Sequence, residues 1–395
     1  MGELVQELTI IITDLGYFLF YTYHHLMNLI NSCRNAVISS SIRRYGDTDF
    51  ITGFRALAAL AVLFIHSGGA GLTEISSVTY NFVSFCKNGV YVFFVISGFS
   101  VAKSYSKNSD FIIYLKRRLF RIIPLYYFWI FLTCVTDLNS KYWLHEFNVS
   151  IDFYNIVMHL LFISYLDYRI ANTIIGVEWS IPIEVFWYLS IPLLARIFKK
   201  NIFVILGIPI SVIYYIAVKY IFSNLLISNS NSDLILQWSP LPYLLSFVFG
   251  FIAFKIRDKI MAKMSSNLFI SDLILITILC SFIIYLYFPS IVNLFYNEYI
   301  AVSITTLILI ACGNSETLIY RFLFVNPIML YLGTISYSIC IYLSHFPIIA
   351  LINKAHIDNL TVKFILCLFI TIIVSTITFF TIEKYGFNIC KSLKK

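Results

Sequence analysis

The stretch Gly53-Phe54-Arg55-Ala56-Leu57-Ala58-Ala59-Leu60-Ala61-Val62-Leu63-Phe64-Ile65-His66 is apolar apart from one guanidinium and one imidazole. Such a run predicts a membrane helix and hence a helical membrane fold. Arg55 and His66 are eleven residues apart. That is about three helical turns, so both fall on nearly one face, roughly 16 Å apart along the axis. Taken singly, each has a structural explanation: an arginine snorkelling to the headgroups or paired to another helix, or a histidine hydrogen-bonded within a bundle. Two ionisable groups on one stripe of a span favour function.

Composition carries the same reading to the whole chain. Of 395 residues, 59% are hydrophobic and 12% charged, with a mean hydropathy of +0.84. A soluble domain carries about 25% charged residues, so an all-α, multi-pass membrane protein is expected. The 18% aromatic content suits interfacial belts of Tyr and Trp. A net charge of +8 would suggest nucleic acid in a soluble protein. In a membrane protein the distribution among loops matters more, and no nucleic-acid partner is expected. The eight cysteines form no CxxC pair, so neither a disulfide framework nor a metal site is expected. Glu3 and Glu7 stand where a basic n-region would belong, which argues against a cleavable signal peptide.

Hydrophobic stretches near 51–69, 89–105, 119–137, 177–198, 201–222, 240–256, 268–289, 297–313, 328–350 and 360–381 predict ten spans. With both termini in the cytoplasm, 21 of the 28 Lys and Arg fall inside, 6 outside, and Arg55 within a span. That asymmetry follows the positive-inside rule. Residues 1–50 form an N-terminal extension. Its apolar run from Leu8 to Ile30 carries Asp14, His24 and His25, which favours a helix lying in the interface over an eleventh span. The transmembrane domain then covers 51–390. Residues 138–176 are the longest polar stretch and external by this count, with an apolar patch at 151–166 able to dip into the interface. No repeat and no fused soluble domain is expected.

Three further places could carry chemistry. In Glu178-Trp179-Ser180-Ile181-Pro182-Ile183-Glu184 the two carboxylates are six apart and do not share a helical face. Glu178 reads as a solvated carboxylate favoured by the helix dipole, whereas Glu184, among apolar residues, needs a partner. His345, before Pro347, is either a packed histidine or a third polar group at the depth of His66 and Glu184. The cluster Lys116-Arg117-Arg118-Leu119-Phe120-Arg121 reads as a topogenic anchor for acidic lipids or as a phosphate clamp, since guanidinium grips phosphate bidentately. Ser97-Gly98 lacks a nucleophile-elbow pattern and reads as close helix packing.

In this order the segments resemble the membrane acyltransferase-3 family, which O-acylates cell-surface polysaccharides. The family's Arg followed eleven residues on by His is matched by Arg55 and His66. Gly89 to Phe99 looks like its second segment. Arg-x-x-Arg-Ile-x-Pro is met by Arg118, Arg121, Ile122 and Pro124, and Trp-Ser-x-x-x-Glu by Trp179, Ser180 and Glu184. Leu332 to Ser338 with His345, and Ile382-Glu383-Lys384, resemble the late elements. The likeness covers roughly 50–390. It departs where Ile51-Thr52-Gly53-Phe54-Arg55-Ala56 replaces Leu-Asp-Gly-Leu-Arg-Gly, at Tyr91, and where Glu184-Val185 replaces a Glu pair.

The resemblance implies an O-acetyltransferase of the inner membrane. It would move an acyl group from cytoplasmic acyl-CoA, a substrate rather than a bound cofactor, to a sugar hydroxyl of an O-antigen, capsule or lipid-linked glycan. Arg117, Arg118 and Arg121 would hold the donor and Arg55 its thioester. His66 would act as base or acyl carrier, oriented by Glu184, with Trp179, Ser180 and His345 supporting the acceptor. On physics alone a transporter or flippase of lipid-linked sugars fits a multi-span bundle with polar residues at mid-depth equally well. A non-catalytic acyl-sensing subunit is a third reading. The acceptor sugar, acyl chain, direct or two-step route and oligomeric state stay open.

Overall fold

The computed structural model describes residues 49–107, 110–136, 141–199, 201–225, 231–264, 268–288, 297–311, 318–340 and 345–392. The interfacial helix expected within 1–50 lies outside these residues. Every regular element among those described is a helix.

Helix α1 (Asp49–His66) starts with Asp49 in its first turn, where a carboxylate meets the positive end of the helix dipole. Helix α2 (Ser77–Phe85) starts at a capping box, with Ser76 Oγ accepting from Thr79 N and Thr79 Oγ1 accepting from Ser76 N. A short 3-10 turn joins it to α3 (Gly89–Lys107). There follow α4 (Phe111–Thr136), α5 (Phe153–Leu160), α6 (Ser180–Ile197), α7 (Asn201–Leu225) and α8 (Leu244–Met264). Then come α9 (Leu268–Tyr287), α10 (Asn297–Ala311), α11 (Pro327–Thr334), α12 (Ser336–Cys340), α13 (His345–Lys354) and α14 (Leu360–Thr378). A π-helical turn over Phe379–Glu383 leads into α15 (Lys384–Ser392).

Among the described residues, five helical stretches are long and apolar enough to cross a membrane: Asp49–His66, Ser77–Ser106, Phe111–Thr136, Ser180–Ile197 and Leu360–Gly386. Shorter apolar helices cover Leu206–Phe222, Asp272–Tyr287 and Ile300–Leu309. Outward residues such as Phe131, Leu193 and Phe369 are exposed, an apolar belt of the kind lipid covers. The stretch 328–350, expected as one span, is interrupted. Asn326 caps α11 and Pro327 opens it, the helix stops at Thr334, and α12 restarts at Ser336. Ser336 Oγ donates to Gly333 O at 2.7 Å across the break.

Two close approaches fix the helices around the centre. Helices α3 and α8 touch backbone to backbone. A Cβ built on Gly250 would stand 2.0 Å from Val95 O, and one on Gly98 2.4 Å from Phe247 O. Helices α1 and α11 do the same, where a Cβ on Gly333 would lie 1.8 Å from Thr52 O. Ser97-Gly98, read from sequence as a packing element, therefore does pack in this way. Aromatic residues fill the space beside the first contact. The Phe94 and Tyr243 rings are 4.6 Å apart, and those of Trp187 and Phe247 5.6 Å. Trp187 Nε1 donates to Pro240 O at 3.1 Å, tying α6 to the segment that leads into α8.

Candidate active site

Five helices deliver side chains to one central cavity of about 60 Å³. Helix α1 contributes Arg55, and α3 contributes Val90, Phe93, Phe94 and Ser97. Arg121 and Ile122 come from α4, Ser180, Ile181, Glu184 and Tyr188 from α6, and Ser336 and Tyr337 from α12. The spacing explains why α6 supplies so much. Residues 180, 184 and 188 stand one turn apart and share a face. The break before Ser336 ends one helix and begins another at the cavity wall, an arrangement that recurs at membrane binding sites.

Glu184 has its expected partners, but they are hydroxyls. Its Oε1 accepts from Ser97 Oγ at 2.5 Å and from the Tyr188 hydroxyl. Arg121 extends over the Tyr337 ring, 5.9 Å from guanidinium carbon to centroid. Tyr337 is itself pinned, its hydroxyl donating to Ile122 O at 3.1 Å. The cavity thus holds two guanidiniums and one carboxylate within a largely apolar wall. In such surroundings charges interact far more strongly than in water.

The other residues singled out from sequence divide. Arg118 is turned to structure. Its Nη2 donates to Ser100 O at 3.0 Å, and its guanidinium lies 5.8 Å from the Tyr114 centroid and 5.6 Å from that of Tyr188. Arg117 does not line the cavity, and its Nε is buried without a hydrogen bond among the described residues. Trp179 is buried with its ring 5.8 Å from that of Tyr243, while Ser180 reaches the cavity. His66 ends α1, three turns beyond Arg55, and does not line the cavity. Glu184 therefore keeps company with Arg55 and not, as its position in the span suggested, with His66. Helix α6 begins only at Ser180, so Glu184 stands in its second turn, one turn after Ser180. The His345 side chain lies outside the described residues.

Glu178 overturns its sequence reading as a solvated carboxylate. Every residue from 170 to 183 is buried, and Glu178 is 0% exposed. Its Oε1 accepts from Ile174 N at 2.8 Å, and its Oε2 from Gly176 N at 2.6 Å and Val177 N at 2.9 Å. His159 Nε2 faces Oε1 at 3.4 Å, and its Nδ1 meets Asn155 O at 2.9 Å. Burial works to raise the carboxyl pKa, but His159 and the backbone N–H groups prevail and hold it below the usual range. The irregular segment folds around this carboxylate, which satisfies backbone N–H groups that are buried away from water.

Sequence reasoning did not single out Ser97, Tyr188, Ser336 or Tyr337 as site residues. Hydroxyls are common in membrane helices, and no spacing rule marks these four. The only signal for Ser97, Ser336 and Tyr337 is membership of the resembled elements, and Tyr188 lies outside them.

Comparison with known proteins gives the following. The acyltransferase-3 family model, described as "Acyltransferase domain", matches residues 48–380. A protein of Acidianus two-tailed virus named "Putative acetyltransferase ORF330" is 24% identical over 300 residues, covering 74% of this chain and 81% of its own. No solved structure matches the chain.

Proposed function

The chain belongs to the acyltransferase-3 family, and from that premise we propose that it transfers an acetyl group from acetyl-CoA to a hydroxyl of a surface polysaccharide such as O-antigen or capsule. The observation that carries the reading is the meeting of Arg55, Arg121 and Glu184 on one cavity, from three helices distant in sequence. The name of the viral relative supports acetyl transfer, and a cavity of about 60 Å³ suits a short acyl group.

In this proposal the protein is a ten-span inner-membrane enzyme with cytoplasmic termini. The donor enters from the cytoplasm and the acceptor from the other side. Arg121, whose guanidinium reaches the cavity, holds anionic groups of the donor. Arg118 supports it from behind. Arg55 meets the thioester carbonyl and stabilises the oxyanion that forms as the sugar oxygen attacks. The new C–O bond forms, the C–S bond breaks, and coenzyme A leaves as thiolate. The hydroxyl proton passes to Glu184, the carboxylate that lines the same cavity as Arg55, and finally to the departing thiolate, while His66, at the far end of α1, would meet the incoming acceptor. Glu184, held by Ser97 and Tyr188, fixes the charge pattern opposite the two arginines. His345 would support the acceptor side together with Trp179 and Ser180.

The test is thiol release from acetyl-CoA by detergent-purified protein, with and without the host's lipid-linked glycan. Wild type should release coenzyme A only with glycan present, and Arg55→Ala should lower the rate about 10²-fold, the magnitude typical of lost oxyanion stabilisation. His66→Ala should do likewise at unchanged abundance. Arg55→Ala turning over at the wild-type rate, or a wild type that moves glycan without consuming acetyl-CoA, would overturn the proposal; the second result points to a transporter.

A further inference from the structure

Ser97 enters the reaction above only as a support for Glu184, yet its geometry gives this hydroxyl a larger part. Serine and threonine inside a helix ordinarily bond back to a carbonyl one turn earlier. Ser190, Thr305 and Thr306 do so, donating to Phe186 O, Ala301 O and Val302 O. Ser97 instead reaches across to another helix. Its Oγ donates to Glu184 Oε1 at 2.5 Å, and the Tyr188 hydroxyl, 3.3 Å from it, donates to the same oxygen. The close contact of Gly98 with Phe247 O fixes the backbone of α3 beside it. Ser97 lines the cavity that holds Arg55, and so brings to it an oxygen whose proton is already directed at a carboxylate.

Size adds a constraint. Sites that enclose a drug-sized ligand begin at about 300 Å³. A cavity of about 60 Å³ admits an acetyl group but not a donor and a sugar side by side. In the proposed reaction the two also arrive from opposite sides of the membrane. An acetyl group that waits between their visits needs a carrier on the protein, and a nucleophile paired with a base supplies one.

Resting on the acyl-transfer reading of the cavity, we propose that Ser97 is a catalytic residue, the nucleophile that carries the acetyl group from donor to glycan. In the first half, Ser97 Oγ attacks the thioester carbonyl and gives its proton to Glu184, while Arg55 meets the oxyanion. A C–O bond to Ser97 forms and the C–S bond breaks. The thiolate takes the proton from Glu184 and coenzyme A leaves. In the second half, the sugar oxygen attacks the acetyl-serine ester and its proton passes to Glu184. The bond to the sugar forms, the bond to Ser97 Oγ breaks, and the proton returns from Glu184 to Ser97. One thioester and one alcohol become one ester and one thiol, with no further reactant.

Repeated turnover waits for glycan by either route, so a single turnover separates them. Full-length protein in detergent receives acetyl-CoA labelled in its acetyl group, without glycan, and is then denatured and digested. Wild type should keep about one acetyl group per chain, on the peptide holding Ser97 and released by hydroxylamine. Ser97→Ala should keep none and lose transfer to glycan. Ser97→Cys should keep the label as a thioester, which a residue serving only to pack or to hold Glu184 would not do. Because the label is located in wild type, the test does not depend on a variant that accumulates. A wild type that acetylates glycan yet keeps no label, or keeps it on Tyr188 or His66, overturns the inference, as does undiminished transfer by Ser97→Ala. A wild type that consumes no acetyl-CoA even with glycan present sinks the acyl-transfer reading itself, and so is told apart from a failure of Ser97 alone.

Discussion

Glu178 shows how far the surroundings of one residue decide what it does. A carboxylate next to the start of a helix is ordinarily a solvated cap. Here three backbone N–H groups and an imidazole converge on it, and water is excluded. Removing one partner from a buried charged pair typically costs about 3–5 kcal/mol, so Glu178→Ala should sharply lower the melting temperature in detergent. The pH dependence has a definite sign. The folded pKa lies below the ordinary 4.5. The stabilisation is therefore complete above 4.5 and fades as pH falls from there through the lower, folded value. Glu178→Gln should consequently melt well below wild type at neutral pH, with the gap closing only under acid. A gap that stays constant from neutral pH down through the carboxylate range would show that the charge of Glu178 contributes nothing. The same residue marks a limit of sequence reading. Arg55 and Glu184 were legible because a charge in an apolar run is costly wherever the run goes. The burial of Glu178 depends on an irregular segment whose path no periodicity reveals.

At the scale of elements, the cavity depends on helices brought to near contact. Helix α3 carries Ser97 and α6 carries Glu184, and their hydrogen bond requires α3 to be seated against α8 by Gly98 and Gly250. The Cβ of an alanine at 250 would stand 2.0 Å from Val95 O, and backbone cannot yield as a flexible side chain does. Overpacking of this kind costs about 1–3 kcal/mol. Gly250→Ala should lower thermal stability in detergent by that amount and also reduce acyl transfer, because separating α3 from α8 displaces Ser97. Full activity together with wild-type stability in Gly250→Ala would mean that the contact is not required. Long uniform helices such as α4 and α14 could be read from hydropathy alone. The break between α11 and α12 could not, because Thr334-Ile335-Ser336 contains no proline to mark it; the stop coincides with the Ser336 hydrogen bond to Gly333 O and the contact of Gly333 with α1. Nor could the pairing of Ser338 with Glu383, 45 residues apart, which only the packed bundle brings about.

For the molecule as a whole, direction across the membrane gives the charged cluster its meaning. In the proposed reaction a cytosolic thioester and an outward-facing glycan are separated by the bilayer. An enzyme joining them would need polar groups between the two, and Arg55, Arg121 and Glu184 gather on one cavity from α1, α4 and α6. The positive-inside count places the loop holding Arg169 outside and the ends of the helices holding Arg196 and Lys384 inside. All three side chains are exposed, which makes them suitable reporters. In a cysteine-free background, Arg169→Cys should react with a membrane-impermeant maleimide on intact cells. Arg196→Cys and Lys384→Cys should react only after permeabilisation. One further pair probes the middle of the chain, where the apolar helices are shorter. Lys219→Cys, at the far end of α7, should label from outside, and Lys255→Cys, on α8, from inside. The opposite pattern throughout would turn the molecule over and place Arg121 toward the glycan, leaving no basic group to meet a cytosolic donor. An inversion confined to 219 and 255 would instead remove a pair of spans beyond α6 and leave the cavity with its direction intact, because each of its three charged residues lies on α1, α4 or α6.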